Sequence, residues 1–282
     1  MKPMRFQSAE YAMKEVGMTR SLRAAIAALA AIVSLAGCGS SAQLAQSTAN
    51  PIPTGVSAAN ATAPVARPTI NLPPYKPVID PSAFTDKITN PLFPLTPGMT
   101  YIYEGTRDGV PNHTEVSVTN ETKTIMGVVC IVVRDVLTSN NALVEKTTDW
   151  YAQDTSGNVW YFGEDTAEYE NGKVTSTAGT WLAGVDGALP GIVMKAAPAV
   201  GEGYRQEYRP GEAEDFAKVL QVDASHEVPA GSYTHVVVTE DTDLLDATKL
   251  EQKFYAPGAG YLGSTGSVNG HKEESKLSAI QK

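Results

Sequence analysis

The sequence predicts a mainly β domain: an antiparallel curled sheet, or an open barrel or sandwich, built from two duplicated β-meanders. Three observations carry that expectation. From Thr100 onward the chain is a succession of short runs rich in β-branched and aromatic residues. Among them are Thr100–Gly105 (TYIYEG), Val128–Val136 (VVCIVVRDV), Asp149–Asp154 (DWYAQD), Asn158–Glu164 (NVWYFGE), Thr234–Glu240 (THVVVTE) and Glu251–Ala256 (EQKFYA). Such residues suit a pleated, half-buried surface. Gly, Asn, Asp and Pro separate the runs, as turns require. An apolar stripe of helical period is missing, and only Glu212–Val219 suggests one helical turn. Third, the chain repeats itself: Val118, Gly127 and Tyr151-Ala152 recur as Val222, Gly231 and Tyr255-Ala256, each 104 residues later. The copies span about residues 98–168 and 201–270. Neither meander would cover its own apolar face, so the two should pack together or extend one sheet.

The first element in chain order is an export signal, residues 1–37. Arg20 and Arg23 precede the apolar run Ala24–Ala36, and Leu35-Ala36-Gly37-Cys38 closes it. A basic region, a short apolar region and small residues before a cut describe a secretory signal. Leucine, two small residues and cysteine make the cut lipoprotein-type, with Cys38 as the lipidated mature N-terminus carrying fatty acyl groups such as palmitate. The run is too short to span a bilayer, which takes about 20 apolar residues. Residues 1–17 carry Glu10 and Glu15, and the signal reads more cleanly from Met18 as the start. The expected location is the cell envelope, anchored to the cell membrane or, in a host with two membranes, to the outer membrane. Gly39 after the cysteine, where Asp is absent, agrees with the latter.

Residues 38–80 read as a lipidated tether of Ala, Ser, Thr, Asn and Pro with almost no charge. Such a stretch buries too little surface to offset its ordering entropy. Cleavage after residue 37 removes five of 22 basic and two of 31 acidic side chains, leaving a net charge of −12. That balance opposes binding to nucleic acid and gives no basic support for anionic lipid, so membrane attachment rests on the acyl chains. With Cys38 lipidated, Cys130 is the remaining thiol and reads as a small buried apolar residue.

The folded unit is expected over 81–282 as a single domain. Asp154–Asn158 (DTSGN) reads as a hairpin turn. The connector from Asn171 to Val200 is apolar but broken by glycine, and reads as a functional loop or a crossover plugging the end of a sheet.

Two segments carry a resemblance. Asn90–Gly105 (NPLFPLTPGMTYIYEG) and Asp149–Glu164 (DWYAQDTSGNVWYFGE) resemble a family of uncharacterised bacterial secreted proteins and lipoproteins, over most of the chain from Phe84 onward. That family implies no activity. More distantly, Tyr255–Gly260 (YAPGAG) after a Val-rich strand is similar to strands of LolA/LolB-like lipoprotein carriers. The resemblance implies a curled antiparallel sheet around an apolar cavity and carries over no binding residue.

Candidate chemistry is sparse. His113, His226, His235 and His271 lack metal-ligand spacing, so neither metal nor cofactor is expected; His226 and His235 flank a turn and could approach across it. No nucleophile elbow, phosphate loop or dinucleotide fingerprint is present, and no catalytic residue is assigned. Asp149, Asp154, Glu164, Asp165, Glu168 and Glu170 lie on or near one hairpin, where cross-strand pairing would bring Asp149 to Glu164 or Asp165. Paired carboxylates beside aromatic platforms would suit a glycan-active enzyme. The simpler expectation is that the aromatics alternate into the core while the acids face water, as in the acidic stretch Glu240–Asp246. The candidate ligand-binding residues are Trp150, Tyr151, Trp160, Tyr161 and Trp181. The favoured role is non-enzymatic: binding an apolar or amphipathic ligand such as lipid, or a protein partner, on an apolar concave face. The alternatives are the glycan-active enzyme and a structural surface module.

Overall fold

The computed structural model describes residues 74–282. The signal, Cys38 and the tether before Pro74 lie outside the described residues. Tyr75, expected within the tether, docks on the folded unit: its hydroxyl donates to Pro190 O at 2.9 Å and its ring meets Tyr208 edge-on.

A short 3-10 turn, Pro81–Ala83, is capped by Asp80, whose carboxylate accepts from Ser82 N. It leads into β1 (Phe84–Thr85) and then, past Asn90–Leu95, into a meander of long strands. These are β2 (Thr100–Arg107), β3 (Val110–Ile125), β4 (Val128–Ser139), β5 (Ala142–Asp154) and β6 (Val159–Glu170). The connector holds three strands, β7 (Lys173–Ser176), β8 (Trp181–Leu182) and β9 (Leu189–Met194). Next come β10 (Gly203–Arg205) and β11 (Glu207–Tyr208), then a second meander: β12 (Asp215–Val228), β13 (Gly231–Asp243), β14 (Leu250–Ala256), β15 (Gly260–Val268) and β16 (His271–Gln281). All pairings are antiparallel, in one sheet of 16 strands nearly closed into a barrel. The expected mainly β class and curled antiparallel sheet are what the chain adopts.

Turn chemistry fixes the hairpins. Asp108-Gly109, Met126-Gly127, Asn140-Asn141, Asn171-Gly172 and Asn269-Gly270 all have positive φ at both positions. That is the two-residue turn whose twist matches paired strands. The Asp154–Asn158 turn forms as read: Gly157 N donates to Asp154 O (2.9 Å), and Asn158 N to the Asp154 carboxylate (2.9 Å).

Closure depends on Gly203–Tyr208. Its first half pairs with β12, Gly203 opposite Lys218, and its second half with β9, Glu207 opposite Pro190. One stretch therefore bridges the two edges of the sheet, covering Phe216–Lys218 of β12 on one side and Leu189–Pro190 of β9 on the other. The seam is tight at Gly191, where a Cβ would sit 2.1 Å from Gln206 O. The helical turn expected over Glu212–Val219 does not form. Asp215–Val219 is the start of β12, with Ala217 and Val219 fully buried in alternation against β13.

The alternation of the strands makes two apolar layers. Inside the barrel lie Tyr101, Tyr103, Val118, Ile131, Val133, Val219, Val236, Val238, Tyr255, Leu262 and Leu277. Outside the β4–β6 wall, a second cluster joins Val128, Cys130, Val132, Trp150, Phe162 and Trp181, covered by the connector and by Phe84. Burying a side chain such as Phe162 or Trp181 contributes about 2–3 kcal/mol. Cys130 is fully buried there, and burial pushes its thiol up to about 12, so it behaves as an apolar residue.

The expected match of Val118 with Val222 is not the one the backbone makes. Val118 N donates to Met99 O beside a turn at Gly98, and Val219 N donates to Glu202 O beside a turn at Gly201. Register shifts in β12 after Val219 displace the remainder of that strand.

Candidate functional site

A plug closes one end of the barrel. Asn90, buried at 3% exposure, donates from Nδ2 to Gly157 O (2.9 Å) and Lys195 O (3.1 Å), while its Oδ1 accepts from Leu92 N (2.9 Å). Gln153 Oε1 accepts from Thr89 N (2.7 Å) and Asn90 N (2.8 Å). The segments Asn90–Gly105 and Asp149–Glu164 thus meet in space, the Asn90-Pro91 start gripped by the hairpin that Gln153 belongs to. Tyr101 OH donates to Pro94 O (2.7 Å) and Gly258 N to Pro91 O (2.8 Å), securing the plug from other strands. Phe93 points inward against Tyr151 and Tyr255.

Above the plug lies a cavity of about 490 Å³. That is within the size range of small-molecule sites. Strand pleating supplies its walls two residues at a time: Tyr101 and Tyr103 from β2, Val133 and Asp135 from β4, Asp149 and Tyr151 from β5, Glu251 and Lys253 from β14, and Glu273 and Ser275 from β16. Glu145 and Tyr261 also line it, with Asn112, Thr114 and Val116 of β3. The aromatic faces are mutually packed, Tyr103 on Tyr261 at 5.3 Å and Tyr151 stacked on Tyr161 at 4.7 Å.

The concave face expected to be apolar is therefore mixed: tyrosines and carboxylates share it. The expectation that the hairpin acids face water fails for Asp149, which is 7% exposed. It fails for Asp241 as well, which is 1% exposed in β13 rather than in a solvated loop. Asp149 accepts from Tyr161 OH at 2.5 Å, and the same phenol contacts Glu164 Oε2 at 3.1 Å. Asp149 and Glu164 are direct cross-strand partners, as the hairpin reading anticipates.

Burial dominates the electrostatics of this wall. It pushes Asp149 up to about 7, with the Tyr161 hydroxyl opposing. It holds Asp135 well above the carboxylate range, reinforced by Asp149 and then Glu145. Glu145 is raised by burial, against a hydrogen bond from Thr147. Behind Tyr161, burial and Glu207 raise Glu164 strongly, and burial followed by Asp215 pushes Glu207 to about 8. On the opposite wall burial would lower Lys253, but Asp241 and Glu251 outweigh it and hold the ammonium well above its usual range.

The five candidate aromatics part company. Tyr151 lines the cavity and Tyr161 backs it. Trp150 and Trp181 border a second hollow of about 380 Å³ outside the wall, where Lys123 Nζ lies 3.4 Å from the centre of the Trp150 ring. Trp160 serves the turn, its Nε1 donating to Asp154 Oδ2 (2.8 Å) and its ring packing on Phe84. His226 and His235 do not meet: His226 stacks on Phe254 and His235 pairs with Asp223. Among the described residues, no three His, Cys, Asp or Glu side chains converge as a metal-binding group.

Asp135, Glu145, Tyr103, Tyr261 and Lys253 escape the sequence reading. Their signal is parity: Asp135 continues the row of Ile131 and Val133, which is buried inside. Lys253 stands two residues before Tyr255, as Asp149 stands before Tyr151.

No protein-family model matches the chain, and no curated protein matches it. Among solved structures, a candidate lipoprotein from Parabacteroides distasonis overlaps 70% of this chain and 100% of its own, at 12% identity and a TM-score of 0.35. A likeness that distant carries no argument about this chain. Among the described residues no helix is long and apolar enough to cross a membrane.

Proposed function

We propose that this protein is an exported, lipid-anchored binding protein of the cell envelope, whose barrel lumen takes up a small amphipathic molecule. The observation that carries the reading is the cavity of about 490 Å³, plugged at one end and lined by packed tyrosines interleaved with polar groups. Aromatic walls with convergent polar groups that fix orientation are common in ligand sites. The lipoprotein-type cut at Cys38 supplies the anchor, and residues 39–73 supply a spacer. Catalysis by the hairpin is the weaker reading. Asp149 and Glu164 both engage the Tyr161 hydroxyl, so a buried phenol occupies the space between the two carboxylates that a substrate would need.

Native mass spectrometry and solvent extraction of the chain purified from its host test the binding reading. The expected result is a stoichiometric small molecule that is lost when Ser264→Trp fills the lumen. A clean apo mass from material never exposed to detergent would contradict it. Incorporation of labelled palmitate into the chain, abolished in Cys38→Ser, is the expected result for the anchor.

A further inference from the structure

The cavity holds a charge imbalance that its own side chains leave unresolved. Asp135 receives no hydrogen bond and faces no cation; its electrostatic neighbours are Asp149 and Glu145. Asp149 accepts only from the Tyr161 phenol, and Glu145 only from the Thr147 hydroxyl at 3.3 Å. The cations nearest the lumen are engaged elsewhere: Lys253 with Asp241 at 3.0 Å, Arg107 with Glu273 at 3.3 Å and Lys249 with Asp215 at 2.7 Å. A buried carboxylate without a partner is costly enough that proteins pair it or neutralise it.

The other half of the barrel displays the completed version of the same arrangement. Asp241 lies in β13 as Asp135 lies in β4. Lys253 faces Thr239 as Asp149 faces Val133, each two residues before its paired tyrosine. Where Asp241 has an ammonium, Asp135 has the second carboxylate, Asp149, and open cavity. Tyr103, Tyr151 and Tyr261 border that space, and aromatic rings attract cations.

We infer that the lumen's ligand is an organic ammonium compound, its cationic head set between Asp135, Glu145 and Asp149 and its apolar body against the tyrosines and Phe93. The inference rests on the binding function proposed above and names its ligand class. A metal ion is the poorer occupant, because these carboxylates do not converge as a coordination shell requires.

The test uses the full chain with Cys38→Ser and a matched set of probes: octyltrimethylammonium, octanol and octanoate, titrated by calorimetry. The expected result is that the ammonium binds at least about tenfold more tightly than octanoate. Asp135→Asn should weaken the ammonium by about tenfold or more and leave octanol unchanged. The same variant should melt no lower, since it removes a half-buried carboxyl that has no hydrogen-bond partner; an affinity loss without a stability loss separates binding from misfolding. Octanoate binding as well as the ammonium would overturn the charge assignment while leaving the lumen a binding site. Failure of all three probes would overturn the binding reading itself.

Discussion

Two hairpins line one lumen with nearly the same backbone and opposite charge logic. In β5–β6 Tyr151 pairs with Tyr161, followed by Gly163 at φ 132°; in β14–β15 Tyr255 pairs with Tyr261, followed by Gly263 at φ 129°. Both glycines are forced: a Cβ would lie 2.4 Å from Trp181 O in one case and 2.0 Å from Ser275 O in the other. Two residues before the first tyrosine stands Asp149 in one hairpin and Lys253 in the other. The second wall is self-neutralising, Lys253 against Asp241. In the first wall the charged neighbours of Asp135 are Asp149 and Glu145, and the one cation that eases Glu145, Arg107, is paired with Glu273. The comparison teaches that the fold tolerates either sign at this place, so the unbalanced wall is not a requirement of the barrel.

Breaking the balanced wall should have the largest effect. Lys253→Met strands Asp241, and chemical denaturation is expected to show a loss of about 3–5 kcal/mol, the usual result of removing one partner of a buried pair. The unbalanced wall has the reverse behaviour, visible against pH. Asp149 titrates at about 7 folded against an ordinary 3.8, so between those values the folded chain keeps a proton that the unfolded chain has lost. Stability from this group is complete below about pH 4 and falls as pH rises toward 7, by about 4 kcal/mol for a shift of this size. Asp135, Glu145, Glu164 and Glu207 act in the same direction. Glu273, raised by burial against its Arg107 partner, adds to the same trend, while Tyr103, Tyr151, Tyr161 and Tyr261 face these groups as neutral phenols and Lys253 stays paired with Asp241. Urea melts at pH 4.5 and 7.5 should therefore find the chain more stable in acid, and Asp149→Asn should flatten part of that slope. Lys253 sets the opposite limit, its contribution lost only as pH climbs past the ammonium range. A smaller effect belongs to the hairpin tips, which both hold the plug. Gln153→Ala removes the acceptor for two backbone N–H groups and should cost about 2–3 kcal/mol. The Gly258 N–H to Pro91 O bond of the other tip survives it.

Much of the fold is legible in the sequence because its rules are local. Asn-Gly and Asp-Gly pairs fix the hairpins, and β-branched runs fix the strands between them. The closure is not legible, because one stretch, Gly203–Tyr208, divides its pairing between two edges that are distant in sequence. The site is harder still. In β4 both parities are apolar, Val128, Cys130 and Val132 facing out and Ile131 and Val133 facing in, so the inner row cannot be told from the outer until the sheet curls. Asp135 and Glu145 then look like ordinary surface acids. The aromatics suffer the same ambiguity: Trp150 and Tyr151 are neighbours in sequence and border different hollows.

The most direct test of the charge asymmetry is a carbon-detected NMR titration of the aspartate carboxyls in the ligand-free chain. Asp149 is expected to titrate near 7 and Asp135 well above the ordinary carboxylate range. Midpoints for both near 4, the range of an unperturbed carboxylate, would contradict the account: the wall would then be solvated and its charges would need no partner.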